Sequence, residues 1–142
     1  MPLIVVFDTN ILFSGVGWRG SPYRCLELAR AGSVEGVTCP EILDELARKL
    51  QSKLRFSEEQ VLETLTDLLS FLRVVLISNT LHVIPTDPDD DKVVECVLVA
   101  GATHIVTGDR HHLLPLQRYR DIAIIPAAQL LLLVALSGNA TG

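Results

Sequence analysis

The chain lacks the features that define several large classes of protein. Its three cysteines are an odd number at long spacings, with no CxxC pair, which argues against a disulfide framework and a thiolate zinc site. The formal net charge is −5, so overall charge gives no argument for nucleic-acid binding. The apolar segment Ile122–Leu136 is interrupted by Pro126 and Gln129 and is too short to span a membrane. The first residues lack a basic region, so we expect a protein of the reducing cytoplasm without a signal peptide.

The composition is that of one folded domain. The chain has 142 residues, of which 49% are hydrophobic and 20% charged, enough for a single core and too apolar for disorder. Predicted strands alternate with helices, which indicates a mainly parallel sheet with helices on both faces. We therefore predict an α/β fold, a three-layer α/β/α sandwich with about five strands. The domain is expected to cover residues 1–136, and residues 137–142 to form a disordered tail.

Local signals give several element boundaries. Thr38 with Glu41, and Ser57 with Gln60, have the spacing of capping boxes that begin helices. Three glycines predict a loop or a broken helical turn over Ile11–Gly20.

Two predicted strands each run into an aspartate. The stretch LIVVFDTN is a continuous apolar run followed by Asp8, and THIVTGD repeats this pattern with Asp109. Because the carboxyl ends of parallel strands lie at one edge of a sheet, Asp8 and Asp109 are expected to share that edge. Taken alone, Asp109 is better explained as a turn residue after Gly108.

An acidic turn begins the helix between those strands. Asp87 and Pro88 have the pattern of an N-cap and a first helical residue. Wound at about 100° per residue, Asp90 falls near the centre of the face formed by the valines that follow, and Asp91 about 100° to one side. Attraction to the helix dipole is the simpler explanation for most of these acids, but it does not require Asp90 to face the core. The helix after the second strand carries Glu45, which the apolar periodicity does not select and which also suits an ion pair with Lys49.

Four segments together resemble the PIN domain family: VFDTNILFS, PEILDELARKL, DPDDDKVVECVLVAGATHIVTGD and IAIIPAAQLL. The similarity is closest to small prokaryotic PIN proteins regarded as toxins of toxin–antitoxin pairs. It implies an α/β/α sandwich and a ribonuclease that depends on Mg²⁺ or Mn²⁺. By position, the family's acidic residues fall on Asp8, Glu45, Asp90 and Asp109.

The resemblance also implies roles for these residues. Hard divalent cations prefer oxygen ligands, and we expect Asp8, Asp90 and Asp109 to hold the metal while Glu45 completes the acidic ring. The predicted supporting residues are Asn10, Thr9, Thr107, Asp87 and Asp91. Where the subgroup often has asparagine, this chain has Asp91. Contacts to the RNA backbone are expected from Arg48, Lys49 and Arg110, although a solvated surface explains each of them as well.

The function expected from the resemblance is hydrolysis of phosphodiester bonds in single-stranded RNA by a cytoplasmic toxin. Its partners would be RNA, a cognate antitoxin and a second copy of the chain in a homodimer or higher oligomer. One alternative is a catalytically silent PIN-like module that binds an antitoxin or RNA. A phosphoaspartyl enzyme is a weaker alternative, because Asn10 stands where such hydrolases usually have a second aspartate.

Overall fold

Strands and helices alternate along most of the chain. The computed structural model describes residues 3–80, 88–110 and 113–141, and only the backbone for 88–90 and 138–141. In chain order the elements are β1 (Leu3–Phe7), α1 (Thr9–Gly17), α2 (Ser21–Arg30), β2 (Val34–Thr38), α3 (Pro40–Lys53), α4 (Glu58–Leu69), β3 (Leu72–Val74), α5 (Pro88–Ala100), β4 (His104–Val106), a 3₁₀ turn (Leu114–Leu116), β5 (Arg118–Tyr119), β6 (Ile122–Ile125) and α6 (Ala127–Thr141).

The strands described form one mostly parallel sheet. Their order is β3-β2-β1-β4-β6-β5, and β5 alone runs antiparallel to its neighbour. Helix α5 packs against β1, β2 and β4, while α2 packs against β2 and against α1 and α6. The predicted α/β/α sandwich is confirmed, with six strands in the described residues instead of about five because the short β5 lengthens the edge.

Strand β1 lies in the middle of the sheet and of the core. Val5, Val6 and Phe7 are fully buried, as expected for a central strand covered on both faces. Because β1 pairs in parallel with both β2 and β4, the residues that follow these strands emerge at a common edge.

Helix α1 corrects one prediction. Residues Thr9–Gly17 are helical, where the glycines predicted a loop or a broken turn. A Cβ at Gly15 would lie 2.4 Å from Leu26 Cδ1, so the absence of a side chain there allows α1 and α2 to pack closely. Tertiary packing thus outweighs the low helix propensity of glycine.

The beginning of α3 corrects another prediction. Its N-cap is Cys39, without a side-chain capping bond, so Thr38 and Glu41 form no capping box. Glu41 instead accepts a hydrogen bond from Asn79 Nδ2 at 2.7 Å. The second predicted capping box, Ser57 with Gln60, is confirmed.

The chain ends in a longer helix than the sequence predicts. Helix α6 continues to Thr141, where a tail from residue 137 was expected. Residues 82–84, whose β-rich sequence also suits a strand, lie outside the described residues. In the parts of the chain that the structure describes, no helix is long and apolar enough to cross a membrane.

Candidate active site

Asp8 and Asp109 meet at the carboxyl ends of the adjacent strands β1 and β4. The Asp8 amide donates to the carbonyl of Val106 at 2.9 Å, which extends the pairing of the two strands. Asp8 is 5% exposed and Thr107 is fully buried. The Thr107 hydroxyl donates to Asp8 Oδ2 at 2.7 Å and accepts from the Asp109 amide at 3.0 Å. Thr107 therefore links the two acidic positions.

Asp8 carries a carboxyl group in an unfavourable electrostatic environment. Burial raises the pKa of Asp8 above its usual range, and the nearby negative charges of Glu45 and Asp109 raise it further. Hydrogen bonds from the Thr107 hydroxyl and the Thr9 amide act in the opposite direction and do not outweigh burial. A positive charge at this edge would therefore favour the ionised form of Asp8.

Asp109 also stabilises the turn that follows it. Its Oδ2 accepts from the Leu113 amide at 3.3 Å, and its carbonyl accepts from the Leu114 amide at 2.9 Å. The turn explanation considered for this residue is therefore correct, and it coexists with a position beside Asp8. One carboxylate oxygen is used in the turn, so the side chain is held in place.

Glu45 lies between two lysines. It forms an ion pair with Lys92 of α5, and Lys49 Nζ lies 3.5 Å from its Oε1. Lys49 also donates to Asn10 Oδ1 at 2.6 Å, which connects α3 to the first turn of α1. Burial raises the pKa of Glu45, but Lys92 and then Lys49 outweigh it and hold the pKa below its usual range. Glu45 is therefore held as a carboxylate whose charge is already balanced.

The acids of the turn before α5 are described only in part. Asp87 lies outside the described residues, and of Asp90 only the helical backbone in the first turn of α5 is described. Asp91 is 5% exposed, although the helical wheel placed it to one side of the apolar face. A buried carboxylate at that position needs compensating partners, which distinguishes Asp91 from an acid that merely favours the helix dipole.

The comparisons with known proteins concern the family and the fold of the chain. A sequence model of the PIN domain matches residues 4–111. The chain belongs to the PIN domain family. No curated protein matches. Among solved structures, the crystal structure of VapBC2 from Rickettsia felis bound to a DNA fragment from their promoter is similar, with a TM-score of 0.61 and 20% identity over 87% of this chain and 98% of the other. At that identity the likeness concerns the fold.

Membership of the PIN family bears on the chemistry expected here. PIN domains are generally nucleases and generally use divalent metal ions. Among the described residues, no three His, Cys, Asp or Glu side chains are grouped closely enough to hold a metal. The donor chemistry nevertheless fits a hard cation, because Asp8 and Asp109 offer carboxylate oxygens and burial disfavours an uncompensated charge on Asp8.

Lys92 is the residue at this edge that the sequence did not reveal. It directly follows the acidic run DPDDD, and neither a motif nor the apolar periodicity singles it out. One signal was present: Lys92 is the fifth residue of α5, and a lysine near the positive end of the helix dipole is favoured there by an acidic partner elsewhere. The predicted RNA contacts also divide into two kinds. Arg48 and Arg110 are exposed, whereas Lys49 is occupied by Glu45 and Asn10.

Proposed function

We propose that this PIN protein is a metal-dependent endoribonuclease that hydrolyses phosphodiester bonds of single-stranded RNA, with Mg²⁺ or Mn²⁺ as cofactor. The observation that carries the proposal is the buried Asp8, held by Thr107 beside Asp109 at the carboxyl edge of the sheet. A buried carboxylate with a raised pKa is expensive in the folded state, and such strained acids concentrate at functional sites.

The proposed roles follow from the positions of the side chains. Asp8, Asp109 and Asp90 would hold the cation, which when bound supplies a water of lowered pKa and a positive charge beside the phosphoryl group. Thr107 orients Asp8 through its hydroxyl, a supporting role of the kind that fixes ligand geometry. Glu45 completes the acidic edge. The remaining supporting residues are proposed to be Asn10, Thr9, Asp87 and Asp91.

Access of RNA to an acidic protein requires local positive charge. Arg48 on α3 and Arg110, next to Asp109, are exposed and are proposed to contact phosphates. Lys49 is proposed to act differently: its ammonium holds Asn10 and Glu45 together at the entrance to the site.

The partners proposed are a cognate antitoxin and a second copy of the chain, in the cytoplasm. The similar fold of VapBC2 supports the antitoxin. Helix α6 supports self-association, because Leu132 and Leu136 are each 57% exposed on a helix that is apolar for most of its length. The toxin role of the chain is part of the same proposal.

A second candidate is a PIN-like module that binds an antitoxin or RNA without cleaving it. The ion pair of Glu45 with Lys92 favours it, because a carboxylate already neutralised by a lysine has less charge to offer a metal. The first candidate cleaves RNA catalytically, whereas the second binds RNA or an antitoxin without cleavage.

A cleavage assay on single-stranded RNA separates these candidates. We expect cleavage that requires Mg²⁺ or Mn²⁺, stops with a chelator and is lost in Asp8→Asn and Asp90→Asn. Asp44→Asn is the matched control, since Asp44 is exposed on α3 beside Glu45 in sequence. Cleavage that persists in both variants would refute the assignment, and RNA binding without any cleavage would favour the module.

The choice of glutamate on α3 has its own test. We expect Glu45→Gln to abolish cleavage in a folded protein. Glu41→Gln should retain activity. Its free energy of unfolding should fall by about 1 kcal/mol or less, because Glu41 makes a hydrogen bond to the exposed Asn79. Loss of activity in Glu41→Gln alone would show that the wrong glutamate was assigned.

A further inference from the structure

A row of cationic and aromatic side chains on two helices begins beside the candidate active site and leads away from it. On α1, Asn10 and Phe13 are three residues apart and share a face; on α3, Glu45, Lys49 and Lys53 are four apart and share a face. The row, which we name the α1–α3 strip, consists of Asn10, Phe13, Trp18, Lys49 and Lys53.

Contacts along the strip fix how the two helices lie. Lys49 Nζ donates to Asn10 Oδ1 at 2.6 Å, and one turn further on Lys53 Nζ lies 6.0 Å from the centre of the Phe13 ring. At the far end, a Cβ on Gly17 would lie 3.4 Å from Leu54 Cδ1. The helices therefore run side by side in the same direction, with Asp8 at the near end.

Trp18 ends the strip and is unusually open for its size. The residue is 57% exposed, and its indole packs edge-on against Phe13, with ring centres 5.8 Å apart and planes at 61°. Its amide donates to the Ser14 carbonyl at 3.0 Å, so the backbone that carries it is fixed to α1. Nearby, the Arg19 guanidinium lies 5.3 Å from the Tyr23 ring centre. The strip thus presents a held but accessible aromatic surface with cations beside it.

We propose that the α1–α3 strip binds the single-stranded RNA substrate, with a base stacked on Trp18 and a phosphate at Lys53; the inference rests on the proposed function and names how its substrate is held. Aromatic faces alternating with cations are the usual design for binding single strands without reading sequence. From Asp8 to Trp18 the helical rise gives about 15 Å. At a stacked rise of about 3.4 Å, that distance accommodates roughly four nucleotides.

Charge favours RNA over a second copy of the chain on this surface. The chain as a whole carries −5, yet the strip and its border hold Lys49, Lys53, Arg19 and Arg55. A polyanion is attracted to such a local positive surface, whereas an acidic protein that binds a second copy of itself gains nothing from it. The exposed leucines of α6 lie on a different element.

Trp18 provides its own reporter, because it is the single tryptophan of the chain. We would titrate the full chain, in buffer with a chelator so that no metal-dependent cleavage occurs, with a single-stranded 12-nucleotide oligouridylate. Stacking should quench the Trp18 emission, and a blunt duplex RNA of the same length should quench it far less. No quenching at saturating single-stranded RNA would overturn the proposal. A shift of the emission on concentrating the protein alone would place a second copy on the surface and would also overturn it.

Affinity measured with a labelled oligonucleotide tests the individual residues. Trp18→Ala should weaken binding about 5- to 150-fold, the range of one lost stacked base, and Trp18→Phe should restore most of it. Lys53→Gln should lower the slope of log K against log salt by about 0.7. The matched controls are Leu62→Ala, at an exposed apolar residue on α4, and Arg118→Gln on the remote β5. Unchanged affinity in Trp18→Ala would overturn the proposal.

The result is separable from that of the cleavage assay. If the chain cleaves RNA but binds it independently of Trp18, the proposed function stands and the proposed binding role of the strip is refuted. If single-stranded RNA stacks on Trp18 but is never cleaved, the binding role of the strip stands and the nuclease proposal is refuted.

Discussion

Lys92 of α5 and Glu45 of α3 form an ion pair beside the acidic edge of the sheet. Their side chains are 11% and 18% exposed, so both charges have lost most of their hydration. An ion pair this buried adds little net stability over apolar residues, because desolvation offsets the attraction. Its consequence is local: Glu45 is kept ionised and in one position, and two helices are joined across the site.

Removing Lys92 should therefore destabilise the protein through Glu45. We expect Lys92→Met to lower the free energy of unfolding by about 1–3 kcal/mol at pH 7, because among the described residues Glu45 then retains only Lys49 as a cationic partner. Urea unfolding measures the loss, and Lys53→Met, an exposed lysine, should change it by less than about 0.5 kcal/mol. The double variant with Glu45→Gln should show coupling; strict additivity would mean that the pair does not exist in solution.

Thr107 should be essential for the geometry of Asp8. We expect Thr107→Val to lower stability by about 1–3 kcal/mol, since it deprives Asp8 Oδ2 of a donor and the Asp109 amide of an acceptor in a fully buried place. Cleavage should fall through kcat, with KM for RNA nearly unchanged. Thr107→Ser keeps the hydroxyl and should restore most of the rate. If Thr107→Val cleaves as fast as Thr107→Ser, the hydroxyl does not orient Asp8.

The convergence of Asp8 and Asp109 was predictable because parallel strands end at one edge, and a strand followed by an acid is visible in sequence. Glu45 was not predictable from periodicity, since it lies off the apolar stripe of α3; only the family resemblance indicated it. Periodicity in the sequence could not predict the role of Lys92 or the Lys49–Asn10 contact, because a single long-range polar contact has no repeat along the chain.

The fold, too, has features that the sequence predicts and features that it does not. Alternating strands and helices were enough to predict the sandwich, whereas local propensity failed where packing decided. Gly15 signals a loop in isolation, yet it makes room for Leu26 in a helix. Thr38 and Glu41 have the residue types and the spacing of a capping box, but the backbone places Cys39 at the N-cap.

Asp8→Asn should stabilise the protein in the absence of metal while it abolishes cleavage. Burial raises the pKa of Asp8, so keeping it ionised at neutral pH opposes folding. An amide keeps an oxygen that accepts from Thr107 and removes the charge, and we expect a gain of about 0.5–2 kcal/mol at pH 7. Below pH 3.8, the unfolded reference value, the carboxyl is protonated in both states and the gain should vanish. Thermal unfolding in chelator checks this; a lower Tm for Asp8→Asn at pH 7 would contradict it.

Glu95 should contribute stability that is lost in acid. Although burial raises its pKa, hydrogen bonds from the Ser78 hydroxyl at 2.6 Å and from the amides of Ser78 and Asn79 at about 3.0 Å hold the pKa below the usual value. A lowered folded pKa stabilises above the unfolded value of 4.5, and this stabilisation disappears as the pH falls through the folded value. We expect Glu95→Gln to lose about 1–2 kcal/mol at pH 7 by urea unfolding, and progressively less below pH 4.5. Glu63→Gln, at an exposed position on α4, should show no such dependence. A loss in Glu95→Gln that stays constant down to pH 3 would mean that packing, and not the charge, is responsible.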